Sequence, residues 1–300
     1  MEYINCPLCN SNLYNVLYEK NILNEKNDEN DIYKCTSYKF SDYYRIVKCK
    51  ECGLVYNNPR EDFNKLLKFY EDVIDNDYLK QQIAREITYK KLLDTLIKYK
   101  NCGKLLDIGC YTGFFLKLAK TKNFIVKGIE PSKWAANYAK SILNLDVINT
   151  NIFDYQPFEK FDVITMWDVI EHLPNINDVF IKCNKMLNDK GIIAFSTHNI
   201  DSFASKLLKS NYPFIMRMHI SHFSFKTIKY LLNKTGFNIV RIEEHNRYLK
   251  LDYFLDRLNS YLPYFKRLTL FIKNILPENK LIKINKIGLI NCWAVKSKEI

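Results

Sequence analysis

A chain of 300 residues, 47% hydrophobic and 26% charged, has the make-up of an ordinary globular protein and room for one large domain with a small appendage. No apolar run approaches the roughly 20 residues that span a bilayer, and the N-terminal MEYINCPLCN lacks the basic-then-apolar order of a secretory signal. The net charge of +12 admits nucleic acid, anionic lipid or phosphorylated molecules as partners but selects none, because the abundance of Asn, Lys, Ile and Tyr marks a composition bias.

Cysteine is the first informative residue along the chain. Of nine, four form two matched knuckles, Cys6-Pro-Leu-Cys9 and Cys49-Lys-Glu-Cys52. Two thiolates at this spacing grip one side of a tetrahedral ion, and a second pair completes a four-thiolate site. The pattern points to reduced thiols holding structural Zn2+ in the cytosol, so a cytoplasmic location is expected. The alternative is four unrelated core cysteines. A closed site of this kind has no open coordination position for catalysis. Cys35 lies between the knuckles as a spare ligand without a partner, in a stretch whose polar middle, NEKNDENDIYK, reads as a mobile loop. Residues 1–60 are therefore expected to form a zinc ribbon, with LVYNNPR leading out to a helical linker over 61–100.

Past the turn KNCGK, short apolar strands alternate with amphipathic helices. KLLDIG, FIVKGIE, DVINT, FDVITMW and GIIAFST read as strands, with helices at FFLKLAK, SKWAANYAKSIL and about 175–187 between them. This alternation implies an α/β fold, a parallel doubly wound sheet with helices on both faces. Ligands of such sheets bind at the carboxyl ends of the strands. The first strand ends in Asp107-Ile-Gly109-Cys-Tyr-Thr-Gly113, where glycines let the backbone approach a ligand. The second ends at Glu130, about twenty residues beyond the first glycine, where a carboxylate can accept both hydroxyls of a ribose. Either motif alone is weak; the pair points to a nucleoside-bearing ligand.

LLDIGCYTGFFL is similar to the first motif of the class I S-adenosylmethionine-dependent methyltransferases, and GIEPS looks like their acidic ribose loop. FDVITMWDVIEHLPN and HISHFSFKTIKYLLNKTGF resemble segments of the subgroup that includes ubiquinone-pathway O-methyltransferases and many sugar and natural-product enzymes. The cysteine knuckles followed by GLVYNNPR resemble bacterial methyltransferases acting on sugars, among them nucleotide-sugar C-methyltransferases. The resemblance covers about residues 80–247 and a last strand near 287–296. It implies a Rossmann-like, mostly parallel seven-stranded sheet with an antiparallel last strand, in a domain over 101–300. It also implies that S-adenosyl-L-methionine is the cofactor. Asp107, Gly109 and Gly113 would serve its methionine end, Glu130 its ribose, Asn151 and Ile152 its adenine, and Asp168 its amino-acid end. Tyr111 departs from the middle glycine of the motif; it would be strained if the position needed positive φ, and is read as tolerated because Gly109 and Gly113 remain. Trp134 and Tyr138 are expected to pack their helix, with a place near the cofactor as the alternative.

Methyl transfer from a sulfonium is an in-line displacement, and a hydroxyl or carbon acid must also lose a proton. Histidine is the expected base, and three of the five histidines fall in suitable regions: His172, His219 and His222. In the ubiquinone branch the acidic-plus-His cluster after the fourth strand is associated with a divalent metal, a role open to Asp168, Glu171 and His172. The alternative is that Glu171 and His172 cap the following turn. A metal pair of His219 and His222 has no evident third ligand. Tyr212 and Tyr248 are weaker, phenolic candidates.

Between GFNIVRIEEHN and IGLINCWAV lies an insertion at about 249–285. Leu251, Phe254, Leu255, Leu258, Tyr261 and Leu262 follow helical spacing, as do Phe265, Leu268, Phe271, Ile272, Ile275 and Leu276. A helical hairpin packed on the sheet or on a second subunit is expected, with peripheral membrane contact through 251–276 as the sharper alternative. The function expected is methylation of a small molecule, a sugar, nucleotide-sugar or lipid-linked glycan, at oxygen or carbon. An RNA methyltransferase guided by the ribbon is the alternative, though no Asn-Pro-Pro-aromatic segment follows the fourth strand; a non-catalytic cofactor-binding scaffold is the third reading.

Overall fold

The cysteine knuckles sit at one end of a small antiparallel sheet. In the computed structural model, which describes residues 1–22, 29–261, 263–277, 280–285 and 287–297, strand β1 (Tyr14–Tyr18) pairs with β2 (Ile46–Cys49), and β2 with β3 (Val55–Asn57). Residues 24–28 of the expected loop lie outside the described residues, and Glu29–Ile32 forms a single helical turn. Three helices then run to the main sheet: Phe63–Asp72, capped by the Asp62 side chain on two backbone amides, Asn76–Lys80, and Gln82–Leu96.

The central strands are β4 (Gly103–Ile108), β5 (Phe124–Ile129), β6 (Val147–Ile148), β7 (Phe161–Trp167) and β8 (Leu187–His198). They are mutually parallel where they pair. A strand buried on both faces must be apolar at successive positions, and β4 is: Leu106 and Ile108 join one core, while Leu105 joins the core on the other face with Phe115 and Trp293. The expected strand DVINT shrinks to two residues, because β6 is the sheet's edge and pairs only with β5.

Five further strands follow, the first four being β9 (Ser221–His222), β10 (Phe237–Glu244), β11 (Arg247–Lys250) and β12 (Leu281–Ile284). The last, β13 (Leu289–Lys296), slots between β8 and β10 and is antiparallel to both. The seven-stranded order is β10-β13-β8-β7-β4-β5-β6. The sheet is therefore α/β and Rossmann-like, with one antiparallel strand, and its order reverses beside β4, which opens a crevice at the carboxyl ends of β4, β5 and β7.

Two features were not legible in the sequence. β9 pairs with β3, Val55 opposite His222 and Tyr56 opposite Ser221, so the HISHFSF segment becomes the fourth strand of the ribbon sheet. The ribbon's Leu8, Val47, Leu54 and Tyr56 are buried in the same apolar core as Leu106, Ile164 and Phe195. The C-terminal insertion, moreover, stands on a stalk in which β11 pairs antiparallel with β12. It carries the helices Leu251–Tyr261 and Lys266–Ile275; Leu262 between them lies outside the described residues. Among the described residues, no helix is long and apolar enough to cross a membrane.

Candidate functional site

The turn after β4 is shaped by three left-handed residues: Gly109 at φ 67°, Tyr111 at 47° and Gly113 at 80°. A side chain at Gly109 would bring its Cβ to 2.8 Å from Val169 Cγ2, so the close approach of the turns after β4 and β7 requires glycine. Tyr111 adopts the strained conformation that its position made a concern. Its ring is clamped by Tyr78 and Trp134, at centroid distances of 4.4 and 5.8 Å. That conformation aims its amide at Glu130: the two carboxylate oxygens accept from the Tyr111 and Ser132 amides, both at 2.8 Å. Burial pushes the Glu130 carboxyl up to about 7 against those two bonds. Asp107 lies beneath the turn, accepts a 2.6 Å bond from Thr165 Oγ1, and is pushed up to about 8 by burial.

One cavity of about 900 Å³, counting its open mouth, runs along these strand ends. Gly109, Glu130, Asn151, Ile152 and Asp168 line it, and so does His172 at its far end. Much of the remaining wall is apolar, including Leu66, Val73, Phe153 and Met218. Asp107 and Gly113 stay behind the wall; Gly113 is the N-cap of helix Phe114–Lys120. The Asn151 side chain folds back to accept from the Phe153 and Asp154 amides. Asp168 accepts from Ser196 Oγ at 2.8 Å and forms an ion pair with Arg247, which β11 carries in from the insertion. Burial acts to raise the Asp168 carboxyl, but Arg247 and neighbouring donors outweigh it and hold the group below the usual carboxylate range. Arg85 stacks 3.7 Å from the centroid of the Tyr78 ring, and its buried Nε has no hydrogen-bond partner among the described residues. Cys35 also lines the cavity and is not among the four clustered thiols. Neither Arg85 nor Arg247 falls in a motif that marks it in the sequence.

Four of the five histidines form one cluster that begins at the far wall with His172 and runs behind it. The His172 and His219 rings lie 4.8 Å apart, His219 and His198 5.0 Å, and His198 and His222 4.9 Å. Of the three candidate bases only His172 lines the cavity; His219 packs behind it, and the β3–β9 pairing draws His222 fully into the interior. His198, at the carboxyl end of β8, has no motif around it; its place at a strand end is the one signal that marks it. Glu171 is buried rather than a surface cap: it accepts from Thr197 Oγ1 at 3.0 Å, and its carboxylate lies 3.8 Å from His198 Nδ1.

A carbonyl oxygen can only accept, which settles two tautomers. His172 Nδ1 lies 3.0 Å from Met218 O and His219 Nδ1 lies 2.7 Å from Phe214 O, so both nitrogens carry the hydrogen and both Nε2 atoms keep a lone pair. Tyr70 OH lies 2.9 Å from His172 Nδ1 and helps fix the ring. Burial depresses all four imidazoles, His198 to about 3, so each is neutral at pH 7. Among the described residues, Glu171, pushed up to about 7 by burial, is the acid in contact with them. Ligand atoms of Glu171, His172 and His219 lie within 4.8 Å of one another, a set able to hold a metal ion. The third ligand that the His219–His222 pair lacked in sequence is thus supplied to His219 by the fourth-strand turn instead.

The four knuckle thiols also converge. Cys6 and Cys52 sulfurs are 3.5 Å apart, Cys9 and Cys49 3.4 Å, and all four lie within 4.8 Å of one another. Tetrahedral zinc with Zn–S bonds near 2.3 Å sets its sulfurs about 3.8 Å apart. The arrangement fits that ion, and the Leu54 amide donates to Cys52 Sγ as a thiolate would require. Tyr212 and Tyr248 are engaged elsewhere, Tyr212 with the Ile287 and Gly288 carbonyls and Tyr248 with Lys91.

Comparison with known proteins adds a family. The family described as "Methyltransferase domain" matches residues 78–242. The ubiquinone biosynthesis O-methyltransferase of Nitrobacter winogradskyi is 31% identical over 146 residues, covering 45% of this chain and 55% of that protein. The enzyme of the same name from Actinobacillus pleuropneumoniae serotype 5b is 30% identical over 126 residues, covering 38% and 54%. The chain thus spans about half the length of the curated relatives it matches. Among solved structures, the plantazolicin methyltransferase BpumL in complex with SAH aligns with a TM-score of 0.49 and 17% identity, over 78% of this chain and 90% of that one.

Proposed function

The chain belongs to the methyltransferase-domain family, and on that premise we propose that it transfers a methyl group from S-adenosylmethionine to a sugar-containing small molecule carrying an apolar portion, such as a lipid-linked glycan. The observation that carries this reading is the single cavity lined at one end by Glu130 and Gly109 and at the other by His172. Donor and acceptor ends share one space, and its apolar wall suits an acceptor that is not a bare sugar. The resemblance of the ribbon to those of sugar-acting enzymes supports the glycan part.

In this reading Glu130, already oriented by two amides, takes the ribose hydroxyls. Gly109 lets the backbone approach, and Asp107 fixes the turn from below. Asn151 and Ile152 flank the adenine. Asp168 takes the ammonium group, and Arg85 and Arg247 supply cations near the carboxylate. The cofactor supplies an electrophilic methyl group on a sulfonium. His172 Nε2 accepts the acceptor's proton, and Glu171 offsets the charge that His172 then carries, which burial alone would oppose. His219 backs the His172 ring. A second reading rests on the Glu171, His172 and His219 set: these residues would hold a divalent cation, which would supply charge to bind acceptor oxygens, and His172 would then be a ligand, not a base. Cys6, Cys9, Cys49 and Cys52 would hold structural Zn2+, bracing the sheet whose fourth strand, β9, follows His219. That burial of the ribbon favours a supporting role for it over RNA recognition or a free scaffold surface.

The test uses methyl-labelled S-adenosylmethionine, the purified protein and a fractionated extract of cells lacking it. Label in organic-extractable or small soluble glycans is expected. Label in RNA or protein would overturn the acceptor class. Retained turnover after exhaustive chelation separates the base from the metal reading.

A further inference from the structure

Helix Lys266–Ile275 is amphipathic, yet it is mounted with its polar side inward. Its one buried residue is Thr269, whose hydroxyl donates to Asn259 Oδ1 at 2.6 Å. One turn later Lys273 pairs with Asp256 on helix Leu251–Tyr261. The apolar stripe consequently faces solvent: Phe265, Leu268, Phe271 and Ile275 are 45%, 51%, 62% and 62% exposed, and Tyr264 beside them is 96% exposed. Those positions recur every three or four residues, the period of one helix face. A packed hairpin would bury that stripe; among the described residues nothing covers it.

The charge pattern identifies what does. Lys266 and Arg267 are exposed and have no acidic partner among the described residues, and residues 262–277 contain three basic residues and no acidic one. In a two-fold contact between copies the same stretch meets itself, and it offers no acidic group to pair these cations. An apolar stripe edged by Arg267, with Lys266 exposed at the first position of the helix, instead matches an anionic lipid surface, with rings and aliphatic chains in the acyl boundary and cations among the headgroups. We propose that residues 264–275 form an interfacial helix that docks the protein on anionic phospholipid membranes. The stalk of β11 and β12 links this surface to the cavity, since Arg247 of β11 pairs with Asp168. Docking would therefore hold the cavity near lipid-anchored acceptors, although the surface itself stands whatever the acceptor is.

The test is cosedimentation of the full chain with vesicles of phosphatidylglycerol and phosphatidylcholine, compared with phosphatidylcholine alone. Binding to the anionic vesicles is expected, weakened by salt and reduced about tenfold or more by Leu268→Asp with Phe271→Asp or by Lys266→Glu with Arg267→Glu. All four side chains are exposed, so unchanged circular dichroism is the folding control. Absence of binding to anionic vesicles, or binding that neither double variant reduces, overturns the proposal. So does a concentration-dependent dimer in light scattering that Phe271→Asp dissolves, which would make a second copy the occupant. None of these readouts depends on methyl transfer.

Discussion

His198 Nε2 lies 2.8 Å from His222 Nδ1, and both rings are fully buried. This contact ties the carboxyl end of β8 to β9 across the back of the histidine cluster. One ring must donate and the other accept, so both cannot be protonated at once, and burial depresses both groups and favours the neutral pair. Because their folded values lie below the unfolded value of about 6.5, the unfolded chain binds protons first as pH falls. The stability they support is complete above about pH 6.5 and is lost as pH drops toward His198's folded value of about 3. Urea midpoints at pH 7 and pH 5 should therefore differ less in His198→Asn than in the parent chain. An equal pH dependence in both would show that the pair is not buried neutral.

Asp107 has the opposite sign. Its folded value of about 8 lies well above the unfolded one of 3.8, so stability is complete below about pH 4 and is lost as pH rises toward 8. Asp107→Asn keeps an oxygen to accept from Thr165 Oγ1 and removes that penalty. The ligand-free protein should gain about 1–4 kcal/mol at pH 8 and lose affinity for S-adenosylmethionine by tenfold or more in calorimetry. A destabilised variant would mean that the carboxyl is ionised and satisfied in the folded chain.

Among the histidines, reach decides the hierarchy. His172→Asn should lower kcat about 10²- to 10⁴-fold with little change in donor affinity, whereas His222→Asn, remote from the cavity, should act mainly on stability. Equal losses of kcat in both would place the proton transfer elsewhere. If a divalent cation is required, the His172 variant should also lose metal-dependent activation by added Mn2+.

Zinc should act at a distance. The four thiols converge beside the sheet to which β9 is paired, so bound zinc would brace it, and β9 begins two residues after His219. One zinc per chain is expected by elemental analysis, and Cys49→Ser should lower Tm by about 10 °C. Turnover should fall with it even though no thiol of the four lines the cavity. Full activity in a zinc-free, folded variant would break the link between ribbon and acceptor wall.

Arg247 should matter through Asp168. Without the guanidinium, burial would raise the Asp168 carboxyl, and an ammonium group binds the ionised form. Donor affinity in Arg247→Ala should thus fall more steeply below pH 6 than in the parent, measured by calorimetry across pH. A uniform drop at every pH would instead assign Arg247 directly to the donor's carboxylate.

What sequence conveys here follows from range. The alternation from 104 to 197 was legible because strands buried on both faces must be apolar in succession, and the two cysteine knuckles because metal geometry dictates their spacing. Glu130 and His172 lay in motifs a few residues long. The pairing of 55–56 with 221–222 left no local mark, since two residues of strand carry no periodicity. His198 sat at the end of an ordinary strand, and Arg247 meets Asp168 across 79 positions. The outward stripe of 265–275 read as a core face because periodicity reports that a helix has two sides, not which one meets the protein.

The β3–β9 pairing also bears on how the molecule is born. Synthesis proceeds from the N-terminus, so β1, β2 and β3 emerge long before Ser221 and His222. Until then the outer edge of β3 offers unpaired amides and carbonyls to any neighbouring strand, and Leu8, Val47 and Tyr56 await the core that will bury them. Metal captured by the knuckles would hold this nascent sheet together through that interval. Starving cells of zinc during expression should therefore yield more insoluble protein than stripping zinc from chains already folded.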